Sequence, residues 1–231
     1  MPIKNTERVI IFDSSTLISF AMNGLFEELK TLRKSFSGKF IITKEVKQEI
    51  VDNPIRIKRF ELEALKIDEM IQQKILELPN SIGVEDKKIT DKTLELMKIA
   101  NNTFISQGVG IKLIDMGETS CVALSQILNE QGVQNVLAVD ERTTRMLSEN
   151  PETLKNIMQK RLHTKINIKN ENLRFFRNLK FIRSTELIYV AYKKGIISIK
   201  SKDTLDALLY ALKFKGCSIS DEEIEEIKRL G

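Results

Sequence analysis

The stretch Val9-Ile-Ile-Phe-Asp-Ser-Ser-Thr-Leu-Ile18 holds four apolar residues, then an acid and two serines, and then residues with helical spacing. A short apolar run of β-forming residues that ends at a polar break predicts a buried strand. Similar runs occur at residues 40–42, followed by Thr43, and at residues 136–139, followed by Asp140. Because these strands alternate with helical segments, the sequence predicts an α/β fold with a mainly parallel sheet.

The composition limits the kind of protein. The chain has 231 residues, 37 Lys plus Arg against 32 Asp plus Glu, a net charge of +5 and a single histidine, His163. This length suits one large domain and can bury a substantial core. Two cysteines, Cys121 and Cys217, are too few for a disulfide framework or a thiolate zinc site. We expect carboxylates, rather than histidine, to carry any catalytic chemistry.

The organisation along the chain is expected to be a single domain, residues 1–231, with insertions at about 53–110 and 150–180. Apolar spacing predicts one helix over residues 17–32 and another that begins at Thr90, with short strands at 74–78 and 180–182. No secretory signal or membrane span is predicted, so we expect a cytoplasmic protein with no membrane partner.

Acids follow two of the predicted strands. Asp13 and Asp140 each come directly after a buried run, and ligands of open parallel sheets bind at the carboxyl ends of the strands. Glu49, in the helix after the second strand, and Glu118, in a first helical turn, are further candidates. Each acid alone is typical of a turn or of a helix start, where it complements the helix dipole. The four together are a more specific pattern.

Three segments resemble the PIN-domain nuclease family. Its four acids would be spaced here by 36, 69 and 22 residues, in the order Asp13, Glu49, Glu118 and Asp140. The resembling segments are residues 9–18, Ile114-Asp-Met-Gly-Glu-Thr-Ser-Cys-Val-Ala-Leu124 and Val136-Leu-Ala-Val-Asp-Glu-Arg-Thr-Thr-Arg145. Residues 184–197 resemble the closing helix of a prokaryotic PIN branch related to toxin components of toxin–antitoxin pairs. The resemblance covers residues 9–52, 111–149 and 181–230.

The resemblance implies a three-layer α/β/α sandwich with a central, mainly parallel sheet. It also implies a hydrolase, a Mg²⁺- or Mn²⁺-dependent endoribonuclease that cleaves RNA phosphodiester bonds. Asp13, Glu118 and Asp140 would be the metal ligands, Glu49 would complete the catalytic site, and Ser15 would support Asp13 through a hydrogen bond. Hard cations of this kind prefer carboxylate oxygens and can activate water for phosphodiester hydrolysis.

Several alternatives remain open at this point. Asp115 is a nearby substitute for Glu118, and if its side chain points into the site the Glu118 assignment is wrong. The chain could instead be a non-catalytic PIN-like module that binds RNA or protein, or a toxin component controlled by an antitoxin. An α/β domain with incidental acids is the least specific alternative. Homodimerisation is expected from the resemblance alone.

Basic residues concentrate in residues 155–183, which hold nine Lys or Arg and one acid, Glu171. Their local balance of +8 exceeds the net charge of the whole chain. Lys and Arg bind phosphates, and the neighbouring Phe175 and Phe176 are either base-stacking platforms or core residues. An ordinary solvated surface is the alternative. The candidate RNA-binding residues are Arg142 and Arg145, at the rim after Asp140, and Lys160, Arg161, Arg174 and Arg177.

Overall fold

Two sheets form in the computed structural model, which describes residues 8–230. In chain order the strands are β1 (Arg8–Phe12), β2 (Gly38–Ile41), β3 (Phe104–Ser106), β4 (Val109–Gly110), β5 (Asn135–Ala138), β6 (Asn167–Ile168) and β7 (Phe181–Ile182). The central sheet has the order β2-β1-β5-β7, and each neighbouring pair in it is parallel. The predicted strands at 9–12, 40–42, 136–139 and 180–182 correspond to these four.

Helices flank the central sheet, and this arrangement confirms the α/β fold class and agrees with the α/β/α sandwich. In chain order they are α1 (Ser14–Met22), α2 (Phe26–Ser35), α3 (Lys44–Lys47), α4 (Glu61–Gln72), α5 (Asp86–Ala100), α6 (Met116–Glu130), α7 (Arg142–Glu149), α8 (Pro151–Leu162), α9 (Asn170–Leu173), α10 (Ser184–Lys193), α11 (Thr204–Phe214) and α12 (Asp221–Arg229). A π-helical turn, Gln48–Asp52, continues α3, and 3₁₀ turns form at Pro54–Arg56, Pro79–Ile82 and Arg174–Phe176. Among the described residues no helix is long and apolar enough to cross a membrane.

Some predicted boundaries are wrong. The single helix expected over residues 17–32 is divided into α1 and α2, because Gly24 adopts a left-handed conformation with φ +68°. The helix expected to begin at Thr90 begins four residues earlier, at Asp86. The strand expected at 74–78 is reduced to a parallel bridge between Ile41 and Glu77 at the outer edge of β2.

The two insertions meet in the second sheet. Its order is β4-β3-β6, with antiparallel pairing of Phe104 to Ile168 and of Ile105 to Asn167. Strand β3 belongs to the first insertion and β6 to the second, and the amide of Lys169 also donates to the carbonyl of Thr103 at 2.8 Å. Each insertion therefore supplies hydrogen-bond partners to the other.

The core is continuous from the central sheet into the insertions. Its buried apolar side chains include Phe12 and Phe40, whose rings lie 4.9 Å apart, and Phe104 and Phe176 from the insertions. Burial of apolar surface on this scale is the main stabilising contribution in a chain of this size. The packed core thereby fixes the positions of the carboxyl ends of β1 and β5.

Candidate active site

The two strand-end acids lie at the same edge of the sheet and are both buried. Asp13 is 1% exposed and Asp140 is 0% exposed. Strands β1 and β5 are direct neighbours in register, so the residues that follow Phe12 and Ala138 meet at one edge. The amide of Asp13 donates to the carbonyl of Ala138 at 3.0 Å, which extends the parallel pairing to the acid itself.

Ser15 connects the two strand ends. Its hydroxyl donates to Asp13 Oδ2 at 2.6 Å, and its amide donates to the same oxygen at 3.1 Å. The Ser15 hydroxyl oxygen also accepts from the amide of Asp140 at 3.1 Å. The serine therefore fixes the rotamer of one acid and the backbone of the other.

The carboxylate of Asp140 is fully engaged by the protein. The Ser184 amide donates to Oδ1 at 2.7 Å, and the Ser184 hydroxyl donates to Oδ2 at 2.7 Å. The Thr16 hydroxyl donates to Oδ1 at 3.4 Å. Ser184 is the first residue of α10, where the free amides of a helix and its dipole favour a negative charge. Asp140 thus ties β5 to α10.

Asp13 is in a different situation. Its Oδ1 is buried and has no hydrogen-bond partner among the described residues. Burial raises the pKa of Asp13, the hydrogen bonds from Ser15 oppose that rise, and the charge of Asp140 adds to it. A buried carboxylate oxygen without a donor is costly unless a cation or a proton satisfies it. Asp13 is consequently the acid best suited to an external ligand.

Glu118 faces the same site from the first turn of α6. Burial, followed by the charges of Asp13 and Glu141, raises its pKa from 4.5 to about 8. Its Oε2 accepts from the amide of Asp115 at 3.3 Å, while the Asp115 side chain is 71% exposed and pairs with Lys112 at 2.5 Å. The Asp115 side chain is therefore exposed and paired with Lys112, although its charge contributes to the raised pKa of Glu49, and Glu118 is the more buried acid of this turn.

Glu49 approaches from the opposite wall. It lies in the π-helical turn, and its Oε2 lies close enough to Gly117 that a Cβ built there would be 2.5 Å from it. Much of the residue remains exposed, but partial burial of the carboxylate and the charge of Asp13 raise its pKa. A Cβ at position 117 would displace this carboxylate, so Gly117 allows the Glu49 side chain to lie directly against α6.

The four acids are neighbours without forming a closed ligand set. Asp13 raises the pKa of both Glu49 and Glu118, which shows that the three carboxyl groups share one electrostatic environment. Among residues 8–230, no three His, Cys, Asp or Glu side chains are arranged as a metal site. The donor chemistry fits a hard divalent cation, which prefers carboxylate oxygens, but the side chains of Glu49 and Glu118 would have to move toward Asp13 to bind one.

A cavity of about 620 Å³ adjoins this edge of the sheet on the side of α7 and α11. Arg142 and Arg145 line it, together with Ser218, whose amide donates to the carbonyl of Asp140 at 3.0 Å. Arg145 donates from Nη2 to the Ser218 carbonyl at 2.8 Å, and Arg142 donates from Nε to Met146 Sδ at 3.0 Å. Neither arginine pairs with a carboxylate in the described part of the chain.

The other candidate RNA-binding residues lie away from the acids. Gln126 lies eight residues after Glu118 in α6, and its side chain donates to the carbonyl of Phe175 at 2.5 Å. At a rise of 1.5 Å per residue, this contact lies about 12 Å along the helix from Glu118, and Arg174 and Arg177 flank it. Lys160 and Arg161 end α8, about 15 Å along that helix from its cap at Asn150. The structure does not bring these four residues to the acidic edge.

Two functional features were missed at the sequence level. Ser184 is the main partner of Asp140, and its position at the start of the helix after a short strand was the available signal. Gly117 was noted only as the neighbour of Glu118, although it is the residue that admits the Glu49 carboxylate. Of the two phenylalanines, Phe176 is a core residue at 1% exposure, and Phe175 packs partly against the core beneath Arg174.

Comparison with known proteins adds no family assignment: no protein-family model, no curated protein and no solved structure matches the chain.

Proposed function

We propose that this protein is a metal-dependent endoribonuclease that hydrolyses RNA phosphodiester bonds at the site formed by Asp13, Glu49, Glu118 and Asp140. The observation that carries the proposal is the buried Oδ1 of Asp13, which has no donor among residues 8–230. The charge of Asp13 also raises the pKa values of the neighbouring Glu49 and Glu118. Groups of like charge collected in a buried site have a natural partner in a divalent cation.

The residues have distinct roles in this proposal. Asp13, Glu118 and Asp140 would hold Mg²⁺ or Mn²⁺, with Glu49 completing the acidic site. The bound ion would supply an activated water and would neutralise charge that develops on the phosphate. Ser15 orients Asp13 through its 2.6 Å hydrogen bond, and Ser184 orients Asp140. Such supporting hydrogen bonds fix the direction of metal ligands and tune their affinity.

The cavity beside Asp140 supports a polyanionic substrate. Arg142 and Arg145 line it and form no ion pair within the described range, although the charge of Arg145 lowers the pKa of Glu223, which also lines the cavity. The guanidinium nitrogens that are not used in the contacts to Met146 and Ser218 can donate to a phosphate. Arginine binds phosphate oxygens through two parallel N–H donors. In the proposal, an RNA strand that places its scissile phosphate at Asp13 extends into this cavity.

The test is cleavage of a labelled RNA in Mn²⁺. Asp13→Asn is expected to reduce the rate by at least about 100-fold, since even a change outside the direct ligands costs a metal site up to that much. Asp91→Asn is the matched control, because the same chemical change is made on an exposed aspartate of α5 that forms no ion pair in the described part of the chain. Cleavage that survives in Asp13→Asn, with the fold verified by circular dichroism, would overturn the proposal.

A second candidate is a PIN-like module that does not catalyse. It is favoured by the carboxylate of Asp140, whose two oxygens already accept hydrogen bonds from Ser184. In this case Asp140 is structural and the site binds at most a metal ion. Calorimetric titration with Mn²⁺ separates the candidates, because metal binding without RNA turnover supports the module and metal binding with turnover supports the nuclease.

A further inference from the structure

The second sheet brings together two segments that contain almost no acids. Residues 96–114 hold Lys98 and Lys112 and no Asp or Glu, while residues 160–180 hold seven Lys or Arg and only Glu171. Pairing of β3 with β6 joins these segments, and the Asn172 side chain donates to the carbonyl of Ile99 at 3.3 Å, beside Lys98. The positive charge of the two insertions is thereby concentrated in one region.

Most of these cations have no ion-pair partner among residues 8–230. At the margins of the basic stretch, Lys155 pairs with Glu152, and Arg183 is buried between Glu186 and Glu223. Between them, seven cations are exposed and form neither an ion pair nor a side-chain hydrogen bond with any residue in the described range, and Lys98 is equally free. We name these eight residues the basic surface: Lys98, Lys160, Arg161, Lys165, Lys169, Arg174, Arg177 and Lys180.

The basic surface is held in place by apolar anchors rather than by acids. Ile166 and Phe176 are buried at 3% and 1% exposure, and they alternate along the chain with the exposed cations. The guanidinium of Arg174 stacks on Phe175, 4.9 Å from the ring centroid. Leu162 is the one large apolar side chain that residues 160–180 expose, so the segment lacks the apolar face that insertion into a lipid surface requires.

The basic surface and the acids occupy different edges of the central sheet. Asn178 and Lys180 share a cavity with residues 132–134, which precede β5, and with Asn135, its first residue, so this cavity lies at the amino end of the strand. Asp13 and Asp140 lie at the carboxyl ends of the strands. The strand alone separates the two edges by about 13 Å, at 3.3 Å for each of four residues. A phosphate bound by Lys180 is consequently not the phosphate beside Asp13.

We infer that the basic surface is a second RNA-binding site that holds the backbone of a long single strand away from the proposed cleavage site. The inference rests on the proposed function, because that function supplies the ligand. The eight cations and Glu171 together carry a net charge of +7. Because the whole chain has a net charge of +5, the rest of it carries −2. Evenly spaced phosphates are the natural partner of exposed, unpaired cations that are spread over two segments.

The test measures binding in EDTA, so that it does not depend on cleavage. Fluorescence anisotropy would follow a labelled single-stranded RNA of about 30 nucleotides, well above the site size of about 4–16 nucleotides of known single-strand binders. The double variant Arg174→Ala/Arg177→Ala is expected to weaken binding by about 10-fold. It should also lower the magnitude of the salt slope by about 1.4, or 0.7 for each phosphate that the variant no longer neutralises. Lys160→Ala/Arg161→Ala should behave alike.

The matched control is Lys87→Ala/Lys202→Ala, which removes two exposed, unpaired cations elsewhere and should retain wild-type affinity and slope. Equal losses in the control and in the basic-surface variants would overturn the inference, since only net charge would then matter. Binding to anionic lipid vesicles or to an acidic protein without RNA binding would also overturn it. An RNA that binds but is not cleaved on addition of Mn²⁺ would support this inference and contradict the proposed nuclease.

Discussion

Each of β1 and β5 is followed by an aspartate, one residue after Phe12 and two residues after Ala138, but the protein treats the two acids differently. Asp140 is surrounded by donors from Ser184 and Thr16, so both of its oxygens are satisfied within the chain. Asp13 accepts hydrogen bonds on Oδ2 from Ser15, and its buried Oδ1 has no partner in the part of the chain that the structure describes. The comparison teaches that the position of an acid at a strand end does not define its role. The number of donors that the protein supplies indicates whether the carboxylate is scaffold or ligand.

The largest expected effect tests this contrast through stability. Asp140→Asn replaces a charged acceptor with an amide, which weakens two buried hydrogen bonds from Ser184, and should cost about 2 kcal/mol of unfolding free energy. Asp13→Asn removes a buried carboxylate of which the fold satisfies only Oδ2, so its stability should stay within about 1 kcal/mol of wild type. Urea unfolding at constant m-value measures both.

A control for this pair is Ser184→Ala, which removes the hydroxyl donor to Asp140 Oδ2 and leaves the carboxylate in place. It should cost about 1–2 kcal/mol, and its effect should not add fully to that of Asp140→Asn, because the two residues form one network. If Asp13→Asn and Asp140→Asn are equally destabilising, the distinction between scaffold and ligand is wrong.

The next effect is the pH dependence of stability that arises from Glu118, one of the proposed metal ligands. The pKa of Glu118 rises from 4.5 to about 8, so between these values the folded carboxyl holds a proton that the unfolded one has lost. Its stabilising contribution is therefore complete below pH 4.5 and is lost as the pH rises toward 8, with a slope of up to about 1.4 kcal/mol per pH unit. Glu118→Gln should flatten the profile in this range.

Saturating Mn²⁺ should act in the same direction as Glu118→Gln, because a cation bound beside Glu118 favours its ionised form. The thermal shift caused by Mn²⁺ should consequently be larger at pH 8 than at pH 5. A wild-type profile that Glu118→Gln leaves unchanged between pH 4.5 and 8 would show that Glu118 is not protonated in the folded protein.

The smallest effect concerns the wall opposite Asp13. In Gly117→Ala the new methyl group would displace the Glu49 carboxylate, which is the mobile end of a side chain, so stability should change by less than about 1 kcal/mol. Mn²⁺ affinity, followed by calorimetry, should nevertheless fall several-fold. In a Glu49→Ala background the same substitution should have no further effect on Mn²⁺ affinity. Additive losses would show that Gly117 affects the affinity independently of Glu49.

The sequence was most informative where a local pattern carried the signal. Short apolar runs predicted β1, β2, β5 and β7, because a parallel sheet buried on both faces requires continuous apolar residues. The predicted helix over residues 17–32 was divided at Gly24, since the apolar spacing continued across a left-handed turn. Strands β4 and β6 have two residues each, and pairing between distant segments leaves no local pattern of that length.

The candidate site was predictable in its acids and less so in their surroundings. Asp13, Glu49, Glu118 and Asp140 were selected from strand ends and helix starts, and the structure brings them to one edge. The roles of Ser184 and Gly117 depend on contacts across the fold that spacing does not encode. The basic residues after Lys155 were grouped by charge alone, and charge in the sequence does not report which edge of a sheet a residue occupies.

The π-helical turn at Gln48–Asp52 has a consequence for how the site can change. A π turn contains one residue more than the α-helical turn that it replaces, and each residue advances the chain by about 100° around the axis. Because the extra residue is absorbed within the turn, removing one residue there would restore ordinary helical winding and leave the residues on either side close to their present alignment. Which residue is removed decides which side chain then faces Gly117. The turn is therefore a point at which the chain can shorten by one residue without realigning the rest of this wall.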